Sequence, residues 1–134
     1  MKDCIFCKIV ADEVPNYTVY ENENVLAFLD IFPHAKGHTV VIPKQHIATL
    51  SELTSVQWGG MALGLEAVVR RIAAVLCPDG YNIGINDRPA AGQVVPHVHW
   101  HIFPRYAGDG GGSVHSIIKN PGNLPVSEVA KLFL

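Results

Sequence analysis

A chain of 134 residues with 49% apolar composition is long enough to bury one core and too short for two ordinary ones, so one domain is expected. Ten Lys and Arg against twelve Asp and Glu, a net charge of -2, argue against a protein that grips long nucleic acid through its phosphates. No segment is apolar for long enough to span a bilayer, and Lys2, Asp3, Lys8, Asp12 and Glu13 leave no uninterrupted signal-peptide core, so no membrane partner is expected and the expected location is the cytoplasm.

From the N-terminus, Cys4 to Val10 reads as a short helix or turn, ended near Val14-Pro15 because the residue before proline avoids helical angles. Tyr17 to Glu21 and Val25 to Leu29 read as strands of a hairpin about Asn22-Glu23-Asn24. A loop follows from Ile31 to Gly37, then a β-branched strand from Thr39 to Ile42, closed by Pro43. Thr54-Ser55-Val56-Gln57 has the pattern of a capping box and opens the longest element, a helix that runs to Cys77 and is stopped by Pro78 and Gly80. Within it Gly59, Gly60 and Gly64 are costly unless they permit a close contact, and Cys77 is most simply a core residue. Tyr81 to Asn86 and His97 to Phe103 supply two more strands across a Pro-, Ala- and Gly-rich loop from Asp87 to Pro96. Gly108-Asp109-Gly110-Gly111-Gly112 is a loop, and Val126 to Phe133 forms a last short helix with Ser127 near its start. Hairpins with helices set aside from them make an antiparallel α+β domain.

The most informative stretch is His97-Val98-His99-Trp100-His101-Ile102-Phe103. In a strand, alternate side chains share a face, so the imidazoles would stand in a row roughly 7 Å apart while Val98, Trp100 and Ile102 enter a core. Such a row can hold a metal, or attack and cradle a phosphate. No G-x-x-x-x-G-K-[ST] loop is present, so a nucleoside triphosphatase of that design is not expected. The second feature with chemistry is Cys4-x-x-Cys7, half the spacing of a tetrahedral zinc site. A redox pair and two unliganded thiols are the competing readings; three cysteines in a chain read as cytoplasmic do not suggest a disulfide framework.

Asn86, then Gly92-Gln93, then His97-Val98-His99-Trp100-His101 resembles the signature of the histidine triad, or HIT, superfamily of nucleotide hydrolases and transferases. The resemblance extends upstream to Cys4-Ile5-Phe6-Cys7-Lys8-Ile9, Leu26-Ala27-Phe28-Leu29-Asp30-Ile31 and Gly37-His38-Thr39-Val40-Val41-Ile42-Pro43-Lys44-Gln45-His46, and downstream through Pro104-Arg105-Tyr106 to about residue 112. It implies a HIT-like catalytic domain over 1–112 with the tail 113–134 packed on it. The implied fold is an antiparallel sheet of about five strands with one long helix and short helices, forming a larger sheet across a homodimer with the long helix near the interface.

By position in the motif the resemblance makes His99 the nucleophile at the α-phosphorus of a purine nucleotide, forming a covalent nucleotidyl-histidine that water hydrolyses to the monophosphate. The backbone carbonyl of His97 would hold the other ring proton. His101, Gln93 and Asn86 would donate to the phosphoryl oxygens, Gly92 would let the backbone approach them, and His38 would support the network. For His38 alone, a strand-start histidine facing solvent is the rival reading. The implied base slot is Ile5, Phe6, Ile9, Phe28 and Ile31, with Asp30 on the ribose hydroxyls; for Ile9 and Phe28 core packing is the better first reading, and Asp30 could be an ordinary turn aspartate. Zinc-bearing branches of the superfamily point to Cys4, Cys7, His46 and His97 as ligands of a closed, structural Zn2+. One departure stands out: Val94 follows Gly-Gln where many family hydrolases carry a hydroxyl, which leaves the choice between nucleoside phosphoramidates, dinucleoside polyphosphates and nucleotide sugars open. Two other classes of function stay in play: a nucleotide-binding or scaffold protein with negligible turnover, and a metalloenzyme using all three histidines as ligands.

Overall fold

The computed structural model describes residues 3–134; the first two residues of the sequence-based domain 1–112, with Lys2 among them, lie outside the described residues. Five strands, β1 (Thr18–Glu21), β2 (Val25–Leu29), β3 (Thr39–Pro43), β4 (Gly80–Ile85) and β5 (Trp100–Arg105), form one sheet in the order β1-β2-β3-β5-β4, antiparallel throughout. The helices are α1 (Ile5–Val10), α2 (Ser55–Leu76) and α3 (Val126–Lys131). The α+β architecture read from the sequence is the one observed.

Alternation along the strands sorts the side chains into two layers. Val25, Ala27, Val41, Val98, Trp100 and Ile102 meet Met61, Val68 and Ile72 of α2 on one face. Leu26, Phe28, Val40 and Ile42 meet Ile9 of α1 on the other, with Phe6, Val10 and Val14 at the rim. The expected capping box starts α2: Thr54 accepts from the Gln57 amide at 3.1 Å and the Gln57 side chain accepts from Thr54 N–H at 2.9 Å. Gly64 repays its helix cost, since a Cβ there would lie 2.8 Å from a methyl of Val25; Gly59 meets nothing within 4 Å in this chain.

Three expectations change. The β5 ladder begins at Trp100, three residues later than read, because the His97 and Val98 amides donate to Val95 and Ile47 carbonyls instead of to a strand. It also runs through Pro104 to Arg105. Arg105 turns its carbonyl to the Asp79 amide, so by alternation the nitrogen of Pro104 points to the side where β3 has already ended and its missing N–H breaks no ladder bond. Cys77 is exposed and not core, because it occupies the left-handed cap position after α2 with φ 48°. In the tail, α3 is shorter than expected, is capped at Pro125 and buries no residue, and the exposed Val114 and Ile117 border a cavity on the histidine face.

Candidate active site

The histidine face lies opposite α2. The segment from His97 to Phe103 keeps the period of two, so His97, His99, His101 and Phe103 share this face even where the ladder has not begun. The row is nevertheless not uniform. The His99 and His101 rings stand 5.0 Å apart, while His97 turns toward α1 and lies 5.1 Å from the ring of His46.

Hydrogen-bond partners fix which nitrogen of each ring carries a proton. The Nδ1–H of His99 donates to the His97 carbonyl at 2.7 Å, so its Nε2 keeps a lone pair. The Nε2–H of His97 donates to the Pro43 carbonyl at 2.8 Å, so its Nδ1 keeps the lone pair. His38 Nδ1 accepts from the His34 amide at 3.2 Å, which puts the proton on Nε2; that N–H donates to His101 Nδ1 at 2.9 Å, and His101 is left with an Nε2–H. These are the tautomers of neutral rings. Burial pushes all four imidazoles below the ordinary histidine range, His97 and His101 to about 4, with neighbouring rings adding to the effect on those two. Asp30 stands 3.6 Å from His38 Nε2 and accepts from the Phe32 amide at 2.8 Å.

At the other end of the face, Cys4, Cys7, His46 and His97 bring one ligand atom each to within 4.8 Å of one another. The sulfur–nitrogen separations are 3.4 Å for Cys4–His97, 3.6 Å for Cys7–His97 and 3.2 Å for Cys7–His46. Around a tetrahedral zinc, with Zn–S about 2.3 Å and Zn–N about 2.05 Å, such pairs stand roughly 3.6 Å apart, so the cluster fits that ion. Burial beside Cys4 pushes the Cys7 thiol up to about 11, and a divalent cation would be the group to lower it. The N–H of Cys7 donates to Cys4 Sγ at 3.3 Å, and the Pro43 carbonyl aims the His97 ring; both orient ligands from outside.

A second set of ligand-type side chains, Asp30, His38 and His101, stands apart from the sulfur cluster; no set among the described residues joins the three histidines of the row, and His99 is in neither. Residues 11–108 match the family model of the HIT domain. The chain belongs to the HIT family. It is 40% identical over 102 residues to an adenosine 5'-monophosphoramidase of Schizosaccharomyces pombe, covering 76% of this chain and 74% of that one. A crystal structure from Streptococcus mutans superposes with a TM-score of 0.86 at 40% identity, over 99% of this chain and 82% of the other. A Zn-bound histidine triad family protein from Mycobacterium smegmatis gives 0.76 at 40% identity, over 90% and 85%.

Within this HIT fold, Asp30, His38, Asn86 and His101 border one cavity. His38 is buried and bonded to His101, which removes the solvent-facing alternative. Phe6 sets its ring edge-on to Phe28 at 5.6 Å and to His99 at 5.1 Å. Ile9 and Phe28 are core, as their composition suggested, while Ile5 and Ile31 are exposed beside them. Gly92 takes φ +99° at the end of a one-turn helix, against the Asn86 side chain. Gln93 departs from its expected place. Its amide donates to the Ala48 and Val95 carbonyls and its oxygen accepts from the Arg88 N–H, so the side chain ties the loop and not a phosphate. Val94 is 89% exposed.

Two residues of the site escaped the sequence reading. Phe103 stacks on His101 with ring centroids 5.7 Å apart and planes 16° apart, and lies 4.2 Å from the His38 ring. It sits in the same alternate register as the triad, a signal that was available. His34 sets the tautomer of His38 through its backbone N–H, and no pattern in the sequence announces a main-chain donor in a loop.

Proposed function

We propose that this HIT-family protein attacks the α-phosphorus of purine nucleoside 5'-phosphoryl compounds, phosphoramidates or dinucleoside polyphosphates, and carries the nucleotidyl group on His99. The observation that carries the reading is the 2.7 Å bond from His99 Nδ1–H to the His97 carbonyl, which leaves Nε2 as the nucleophile. That lone pair forms the P–N bond as the bond to the leaving group breaks; the leaving group departs with the bonding electrons and takes a proton from solvent. Water then adds to phosphorus and releases a proton, the P–N electrons return to Nε2, and the nucleoside monophosphate leaves. Support for substrate comes from the relative in S. pombe, named for adenosine 5'-monophosphoramidase activity.

In this reading His101 Nε2–H and the Asn86 amide donate to the phosphoryl oxygens, held in place before charge develops on them. Gly92 keeps the backbone close, and Val94 leaves the leaving-group side without a hydroxyl donor. Phe6, Phe28 and the exposed Ile5 and Ile31 take the base by stacking and area, and Asp30 accepts from the ribose hydroxyls. Cys4, Cys7, His46 and His97 would hold a structural Zn2+, whose filled coordination leaves no place for water and whose contribution is to fix the His97 backbone. No helix among the described residues is long and apolar enough to cross a membrane. Exposed Val56, Leu63 and Val75 on α2, the open space at Gly59 and the one-sided pairing of β4 support a homodimer. Light scattering is expected to give twice the chain mass.

A second reading, a purine-nucleotide-binding protein with negligible turnover, is favoured by the committed Gln93 amide and by Val94, which together remove two phosphate donors. The separating experiment is incubation with a panel of adenosine and guanosine phosphoramidates, dinucleoside polyphosphates and nucleotide sugars, followed by mass spectrometry under base-stable conditions. A nucleotidyl adduct on the peptide containing His99 is the expected result. Binding without an adduct from any of the panel would overturn covalent catalysis.

A further inference from the structure

The loop that carries Asn86 and Gly92 has left the sheet before it reaches either of them. The β4 ladder ends on the pair Ile85–Trp100. Asn86, one residue beyond, is exposed, and the direction of its side chain is inherited from the backbone on which it stands. That backbone is fastened to a distant part of the chain. Asp87 Oδ1 accepts from the Leu50 N–H at 2.8 Å, Gln93 Nε2 donates to the Ala48 carbonyl at 2.8 Å, and the Arg88 guanidinium donates to Ser51 Oγ at 3.1 Å.

These partners all belong to the segment from Ile47 to Leu53, whose own shape is set. Ile47 and Leu53 are core residues at its two ends, and Glu52 Oε2 accepts from the Ala48 and Thr49 amides at 3.0 and 2.9 Å. Its first carbonyl, that of Ile47, accepts from the Val98 N–H at 2.7 Å, between His97 and His99. One bracket therefore holds both the triad backbone and the loop. Arg88 shows that the bonds impose a conformation on the loop. Its φ of 72° with ψ 159° lies in a region that residues with a Cβ rarely enter, and such a conformation persists only where its surroundings over-determine it. Here they do: Gln93 Oε1 accepts from the Arg88 N–H at 2.7 Å, and the Arg88 carbonyl accepts from the Ala91 and Gln93 amides at 3.0 and 3.2 Å.

We infer that Asp87 and Gln93 are positioning residues for the reaction: they fasten the loop to the Ile47–Leu53 segment, so that the Asn86 amide is already aimed when charge develops on phosphorus. The inference rests on the α-phosphate reading above, in which Asn86 is a donor. Asp87 acts through the oxygen it offers to Leu50 and not through its charge, since the ion pair of its Oδ2 with Arg88 Nε, at 3.7 Å and open to solvent, contributes little.

The test compares Asp87→Ala, which removes the acceptor, with Asp87→Asn, which removes the charge and keeps an oxygen for the Leu50 amide. In the full-length protein turning over adenosine 5'-phosphoramidate, Asp87→Ala is expected to lower kcat about tenfold with KM changed by less than about twofold. Asp87→Asn should recover most of that loss. Gln93→Glu keeps the oxygen for Arg88 but turns a second oxygen, in place of a donor, toward the Ala48 and Val95 carbonyls, and should lower kcat by a similar factor. The decisive measurement is a double-mutant cycle: in an Asn86→Ala background, Asp87→Ala should cost less than about twofold, because the donor it positions is gone. The full cost in that background, or equal losses in the Ala and Asn variants, would overturn the inference. Backbone amide NMR relaxation over residues 86–93 of the free proteins needs no turnover. The loop is expected to be rigid in the parent and in Asp87→Asn and mobile in Asp87→Ala, and a loop equally rigid in all of them would also overturn it. A parent that forms no His99 adduct, with a loop that still loosens on Asp87→Ala, would count against the α-phosphate reading alone.

Discussion

His97 and His101 lie on one face of one segment, and burial holds both to about 4, yet their free nitrogens face different chemistry. The Pro43 carbonyl takes the Nε2–H of His97 and leaves Nδ1 pointing between two cysteine sulfurs. His38 instead donates to the Nδ1 of His101 and leaves an N–H for a ligand. Between them, His99 gives its Nδ1–H to a backbone carbonyl and keeps a lone pair on Nε2, the nucleophile of the proposed reaction. The neighbour that occupies one ring nitrogen assigns the work of the other. On the proposed reading, three identical side chains two residues apart would serve as metal ligand, nucleophile and donor.

The sharpest way to break this division is His99→Ala. Turnover is expected to fall about a thousandfold or more, while metal content and melting temperature stay near those of the parent. Elemental analysis beside a rate measurement checks it. Loss of metal on that substitution would join His99 to the sulfur cluster and erase the distinction between the two ends. Cys7→Ser is the reciprocal change. Metal should be lost, the melting temperature should drop by about 10 °C or more, and kcat should fall roughly tenfold or more, because the carbonyl that orients His99 belongs to a ligand residue.

Much of this division was legible before any coordinates. Val98, Trp100 and Ile102 enter the core by alternation alone, and Thr54 with Gln57 starts α2 as its spacing requires. The ligand set Cys4, Cys7, His46 and His97 came from resemblance and is brought together in space, across as many as 93 residues of chain. What could not be read lies in loops. Gln93 fits the expected position in the chain, but its amide competes for nearby carbonyls and its direction is settled by Ala48, a residue 45 positions away. His34 acts through its main chain, and Cys77 falls just past the last turn, where a boundary error of one residue converts core to surface. Periodicity reports which face a side chain belongs to; it carries no information on partners made by irregular backbone.

At the donor end, His38→Phe keeps an aromatic ring near Phe103 but removes the N–H that fixes the His101 tautomer. The expected loss in kcat is about tenfold with little change in KM, since the donor matters most as charge develops on phosphorus. His38→Gln retains a donor and should recover part of the loss. Equal losses in the two variants would mean that His38 acts through packing and not through the proton it holds.

The smallest effect is on stability against acid, and its sign follows from burial. His101 falls from an ordinary 6.5 to about 4 in the fold, and His38 moves in the same direction. Between those values the unfolded chain binds more protons than the folded one, so this contribution to stability is intact above about 6.5 and is lost as pH falls toward 4. The groups facing His101 are His99, His38, His34 and Asp30; the rings oppose its protonation and the carboxylate partly offsets them. Melting temperature should therefore fall on going from pH 7 to pH 5, and fall less steeply in His101→Asn. Acid also releases metal from thiolates, but that loss is common to both proteins and cancels in the comparison. The difference in slope belongs to the donor end alone, and identical slopes would show that the His101 ring is readily protonated within the folded protein, contrary to the proton pattern that its bond from His38 requires.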